Sequence, residues 1–105
     1  MKILFDQGTP VPLRRFLHPQ EVDMAAELRW SELENGDLLA AAEGEGFDIM
    51  ITTDQNLRHQ QNLDERRIGV VVLMTTSWPR IQDRVNDVVA AVEGLPPGGY
   101  TEVSA

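Results

Sequence analysis

The stretch Ile68-Gly69-Val70-Val71-Val72-Leu73 constrains the fold more than any other. It is an unbroken apolar run rich in β-branched residues, too short for a membrane span and without the polar alternation of a half-solvated strand. Such a strand is buried on both faces, which places it inside a parallel sheet with helices packed on either side. Two shorter runs fit beside it. Residues 2–5 hold Ile3-Leu4-Phe5, and Phe47-Asp48-Ile49-Met50-Ile51-Thr52 repeats the pattern in the middle of the chain.

Between the strands the sequence carries helix signals. Thr9-Pro10 reads as an N-cap and first helical residue, with Val11, Leu13, Phe16 and Leu17 as the apolar face, stopped at His18-Pro19. Gln20 to Met24 is a candidate strand with Val22 and Met24 on one face. Residues 25–34 suggest a helical turn or two around a partly buried Trp30. Asn35 is then expected to cap a helix over 36–45, ended by Gly46, with Leu38, Leu39 and Ala42 inward. Residues 54–63 form a polar loop or short helix. After the central strand, Ser77-Trp78-Pro79 opens a helix over 79–93, where Ile81, Val85, Val88, Val89 and Val92 make a stripe. Pro96-Pro97-Gly98-Gly99 is a turn, and Tyr100 to Val103 an edge strand. Strands alternating with helices predict a three-layer α/β/α sandwich with a mainly parallel sheet of about five strands. The 105 residues make one domain.

Composition excludes several classes. With no cysteine there is no disulfide, thiol nucleophile or thiolate metal site. No run of about 18 apolar residues exists, and Asp6 interrupts the first apolar stretch, so neither a membrane span nor a signal peptide is expected. A cytoplasmic location is the default expectation. The net charge of −8 argues against a nucleic-acid coat protein. It leaves a nuclease open, because acids that hold a cation reverse their local charge when it binds.

Three aspartates stand where chemistry is expected. Asp6 closes the first strand and Asp54 closes the middle one through Thr52 and Thr53, while Asp37 opens a helix. Strand C-termini and helix N-termini share one edge of a parallel sheet, the edge where open α/β sheets carry ligands. Each acid also has a plain structural use: an Asx-turn at Asp6, a dipole contact at Asp37, a cap at Asp54. Taken together they suit a hard divalent cation, Mg²⁺ or Mn²⁺, which can polarise a phosphoryl oxygen and lower the pKa of a bound water. Asn56 could add a carbonyl ligand. Arg58, Gln60 and Gln61 could contact phosphate or sugar, and His59 is a weaker candidate nearby. A phosphoacceptor role for Asp54 fits less well, since the first strand ends in a single acid and the only lysine is Lys2.

The segments ILFDQGTP, NGDLLAAAEGEGFDIMITTDQNL and HQQNL resemble the PIN-like domains, in particular the short bacterial and archaeal ones. The resemblance covers roughly residues 2–75. It implies divalent-metal binding at Asp6, Asp37 and Asp54, with Asn56 in support, and a ribonuclease activity. It also implies RNA as substrate, a toxin role with a cognate antitoxin, and a homodimer. The chain departs from the usual pattern at Gln7-Gly8, where many relatives carry glutamate and asparagine, and at Asn56, near which four-acid relatives carry a carboxylate. A non-catalytic interaction module on the same fold is the competing expectation.

Overall fold

A computed structural model describes all 105 residues. Five strands form one sheet: β1 (Lys2–Phe5), β2 (Glu21–Met24), β3 (Ile49–Thr52), β4 (Gly69–Leu73) and β5 (Tyr100–Val103). Every neighbouring pair is parallel, and the spatial order is β2-β1-β3-β4-β5. The sheet is therefore wholly parallel, as the central valine run requires. All five residues of β4 are buried.

Alternate residues of the strands feed two separate apolar layers. Ile3, Phe5, Ile49, Ile51, Val71 and Leu73 pack on one face with Ile81, Val88 and Val92. Leu4, Met50, Val70 and Val72 pack on the other with Leu38, Leu39, Ala42 and Leu57. The covering elements are a 3-10 helix (Val11–Leu17), α3 (Trp78–Gln82) and α4 (Val85–Gly94) on the first face. On the second lie α1 (Asn35–Gly44) and α2 (Leu57–Gln60). The period of two along each strand thus divides the core between the layers. None of these helices is long and apolar enough to cross a membrane.

Several elements differ from the sequence expectation, each for a local reason. The segment after Thr9 is a 3-10 helix whose N-cap is Pro10. Pro10 and Pro12 lack N–H donors, and Leu13 N–H closes a three-residue turn onto Pro10 C=O at 3.2 Å. Val11, expected inward, is 60% exposed. Residues 25–30 form hydrogen-bonded turns rather than an assigned helix. Helix α1 is preceded by Glu34, and Asn35 is its first helical residue, so Asn35 does not cap it. The long helix expected over 79–93 breaks between α3 and α4. Asp83, Asn86 and Asp87 are weak helix formers around the break, and the paired valines add little propensity.

Candidate functional site

The strand order sets the site. From β1 the chain crosses to β2 on one side, then passes back over β1 to β3 and continues outward to β4 and β5. The direction of winding reverses between β1 and β3. At such a switch point the two flanking connections leave in opposite directions, opening a crevice beyond the strand C-termini. Asp6 directly follows β1, and Asp54 lies two residues past β3. Asp6 N–H extends the ladder by donating to Ile51 C=O at 3.2 Å.

Hydroxyl groups fix the Asp6 carboxylate. Thr9 Oγ1 lies 2.9 Å from Asp6 Oδ1 and 2.8 Å from Ile51 C=O, so its single proton serves one acceptor at a time. The Thr52 hydroxyl donates to Asp6 Oδ2. The backbone N–H of Gly8 adds a third donor. A Cβ at Gly8 would collide with Thr53 Oγ1, so a side chain there would require the threonine hydroxyl to turn aside. Burial pushes the Asp6 carboxyl above its ordinary value, and the negative charge of Asp54 pushes the same way. The Thr52, Thr9 and Gly8 hydrogen bonds pull it down without cancelling the rise.

Asp54 is held from both sides of its carboxylate. Its own N–H donates to Thr52 Oγ1 at 3.0 Å. Oδ1 accepts Asn56 N–H at 3.0 Å in an Asx-turn, and Oδ2 accepts Asn35 Nδ2 at 2.7 Å. The same Asn35 nitrogen lies 3.1 Å from Gln60 Oε1. A continuous polar chain therefore runs from Thr9 through Asp6, Thr52 and Asp54 to Asn35 and Gln60.

Beyond Asn35 the chain opens into a cavity of about 430 Å³, lined by Glu34, Asn35, Gly36, Asp37, Gln60 and Gln61. No apolar side chain lines it. A Cβ on Gly36 would come within 2.9 Å of Gln61 Oε1, so glycine leaves room for that amide. Asp37 sits on this cavity and is exposed. Asn35 and Asp37 are two positions apart, about 200° around a helix of 3.6 residues per turn. Asn35 turns to Asp54, and Asp37 makes no hydrogen bond to that carboxylate.

Asp6 and Asp54 are thus joined through Thr52, and Asp37 is set apart. No group of three or more His, Cys, Asp or Glu side chains comes together with the geometry to hold a metal. The donor set still suits a single hard cation. Each carboxylate oxygen carries two acceptor positions, and those of Asp6 and Asp54 each accept one side-chain or Asx-turn hydrogen bond, with Gly8 N–H in addition at Asp6. One or two carboxylates are the usual protein share for Mg²⁺, water supplying the rest.

The remaining candidates distribute unevenly. Asn56 contributes its backbone N–H to the Asx-turn, and its side chain is exposed. Gln60 and Gln61 both line the cavity. Arg58 turns away from it: its guanidinium lies 3.8 Å from Glu102 and 5.7 Å from the Tyr100 ring centroid. His59 is exposed. Sequence reading missed Asn35, Thr9 and Thr52 as site residues. The Thr-x-Asp spacing was visible, but a threonine ending a buried strand reads first as β-propensity. Comparisons with protein-family models, curated proteins and solved structures return no match to this chain.

Proposed function

We propose that this chain is a Mg²⁺- or Mn²⁺-dependent hydrolase of RNA phosphodiester bonds, working as the PIN-like domains it resembles do. One observation carries the reading: Asp6 and Asp54, bridged by Thr52, meet at the switch point of a parallel sheet. A half-buried carboxyl raised by burial and by a second carboxylate is a group that a cation would stabilise in its charged form. Asp6 and Asp54 would hold the ion. When bound, such a cation would polarise a phosphoryl oxygen and lower the pKa of a bound water.

The chain's own groups supply the rest. Thr9, Thr52 and Gly8 orient Asp6, which keeps a ligand oxygen from rotating as charge develops nearby. Asp37, Gln60 and Gln61 form the cavity where a ribose or base would lie beside the scissile phosphate. Arg58 makes only a weak surface pair with Glu102 beside the Tyr100 ring and would leave it to meet the substrate. A toxin role with an antitoxin partner, and a homodimer, follow from the resemblance alone.

The test is cleavage of single-stranded RNA in Mn²⁺ by the unsubstituted protein and by Asp6→Asn and Asp54→Asn. Both variants are expected to lose activity while keeping the circular dichroism spectrum of the parent. Undiminished cleavage in both would sink the assignment.

A second reading, a non-catalytic interaction module, is favoured by a different observation. Every oxygen of Asp6 and Asp54 already accepts a protein hydrogen bond, and Asp37 stands apart from both. Absence of any Mn²⁺ binding at millimolar concentration, measured by calorimetry, would favour it.

A further inference from the structure

Asn35 has no part in the usual acidic set, yet it is the side chain that connects Asp54 to the rest of the molecule. Its Nδ2 lies 2.7 Å from Asp54 Oδ2 and 3.1 Å from Gln60 Oε1. The two bonds use both protons of one amide group. They join three elements that share no other side-chain hydrogen bond at this edge: the start of α1, the loop after β3, and the end of α2. Asp54 Oδ2 has no other donor, because the Asx-turn from Asn56 occupies Oδ1.

We infer that Asn35 is a positioning residue that fixes the Asp54 carboxylate for its cation and ties that orientation to the cavity wall. The inference rests on the metal-dependent reading above. A carboxylate with one oxygen anchored by the backbone can still swing its other oxygen, and the amide removes that freedom. Because Gln60 is bonded to the same nitrogen, displacement of Gln60 within the cavity would also move the donor that holds Asp54. Asn35 is two residues from Asp37 on α1, so one turn of helix carries both a cavity acid and the residue that sets a ligand acid.

Residues that orient metal ligands typically change metal affinity about 10–100-fold when removed. The test is Mn²⁺ binding to the full chain, followed by calorimetry and by the paramagnetic resonance signal of free ion, for the unsubstituted protein, Asn35→Ala and Asn35→Gln. Asn35→Ala is expected to weaken binding at least about 10-fold while keeping the circular dichroism spectrum of the folded parent, and Asn35→Gln to recover part of the loss. Equal binding by Asn35→Ala would overturn the positioning role. Tighter binding would also overturn it, by showing that the amide competes with the ion for Asp54. If the unsubstituted protein binds no Mn²⁺, the metal reading itself fails, and this inference with it. That result is distinct from the loss or retention seen between variants.

Discussion

The Thr52 hydroxyl donates to Asp6 Oδ2, and its own oxygen, Thr52 Oγ1, accepts the backbone N–H of Asp54 at 3.0 Å. One buried side chain therefore sets the relation between the two acids at the switch point. Thr52 is 1% exposed. Its methyl group and β-branched shape could be copied by valine, whose volume is similar.

Thr52→Val is accordingly a clean separation of packing from polarity. The substitution leaves the strand filled and removes a donor to Asp6 and an acceptor for Asp54 N–H. Losing one partner of a buried polar group costs about 1–3 kcal/mol. Chemical denaturation should register a loss in that range. If Asp6 and Asp54 hold a cation as proposed, Mn²⁺ affinity should fall with it, because both acids lose their common reference point. A variant with parental stability and parental Mn²⁺ binding would show that Thr52 fills space and nothing more.

Asp6 makes the pH dependence of stability run opposite to that of an ordinary paired acid. Its carboxyl titrates above the unfolded value because burial and Asp54 disfavour the charge. The folded state then binds the proton more tightly than the unfolded state does. Its contribution to stability is fully present below the unfolded value of 3.8 and is lost as pH rises through the raised folded value. Asp6→Asn, which carries no charge at any pH, should melt higher than the parent at pH 7 without divalent ions. The difference should shrink as the medium is acidified. A variant less stable than the parent at pH 7 would mean that the three hydrogen bonds outweigh the buried charge.

Glu43 behaves in the contrary sense. Burial opposes its charge, but the Arg66 guanidinium at 2.8 Å and the backbone N–H groups of Arg67 and Ile68 more than compensate. The carboxyl is held below 4.5, so its stabilisation is present above that value and is lost as pH falls through the depressed folded value. This pair joins α1 to the segment entering β4, with the two side chains 26% and 14% exposed for Arg66 and Glu43. Glu43→Gln should cost about 1–2 kcal/mol at pH 7, a charged hydrogen bond reduced for partial solvation. Urea midpoints measured at pH 7 and pH 3 check it: the penalty should be largest at the higher pH.

The sheet was legible because its information is local and redundant. Residues 68–73 announce a strand buried on both faces, and Ile3 to Phe5 and Ile49 to Ile51 repeat the signal on a smaller scale. Asp6 and Asp54 followed from that, since a residue just past a strand must lie at its edge. Asp37 did not, because placing a helix N-terminus on an edge leaves its rotation free. Two residues' difference in phase gave the inward place to Asn35. Thr9 likewise looked like a helix cap, when Pro10 and Pro12 weaken the start of that helix and free its hydroxyl for Asp6 and Ile51. Polar side chains with several possible partners are chosen by tertiary distance, which spacing along the chain does not encode.

Three positions with positive φ give a last set of expectations, separable by what surrounds each one. Gly46, at φ 81°, closes α1: its N–H meets Glu43 C=O at 3.1 Å and Phe47 N–H meets Ala42 C=O at 3.0 Å, the paired bonds of a Schellman motif. The same pattern closes the turn at 25–30, where Arg29 N–H meets Ala26 C=O at 3.2 Å and Trp30 N–H meets Ala25 C=O at 2.8 Å. There the left-handed place, at φ 61°, is held by Arg29 rather than glycine. Gly98, at φ 72°, is the third residue of the turn closed by Gly99 N–H on Pro96 C=O at 2.9 Å. Nothing lies within 4 Å of a Cβ at Gly46, so Gly46→Ala should cost only the left-handed penalty of about 1–2 kcal/mol. At Gly98 the added carbon would meet Arg66 C=O at 2.6 Å, a backbone atom that cannot rotate aside. Gly98→Ala should therefore cost more than Gly46→Ala. Arg29→Gly should be neutral or stabilising by up to about 1 kcal/mol, the relief of strain being partly offset by a more flexible unfolded chain. Urea denaturation of the three variants checks the order, and Gly98→Ala proving milder than Gly46→Ala would show that the 96–99 turn shifts freely away from Arg66.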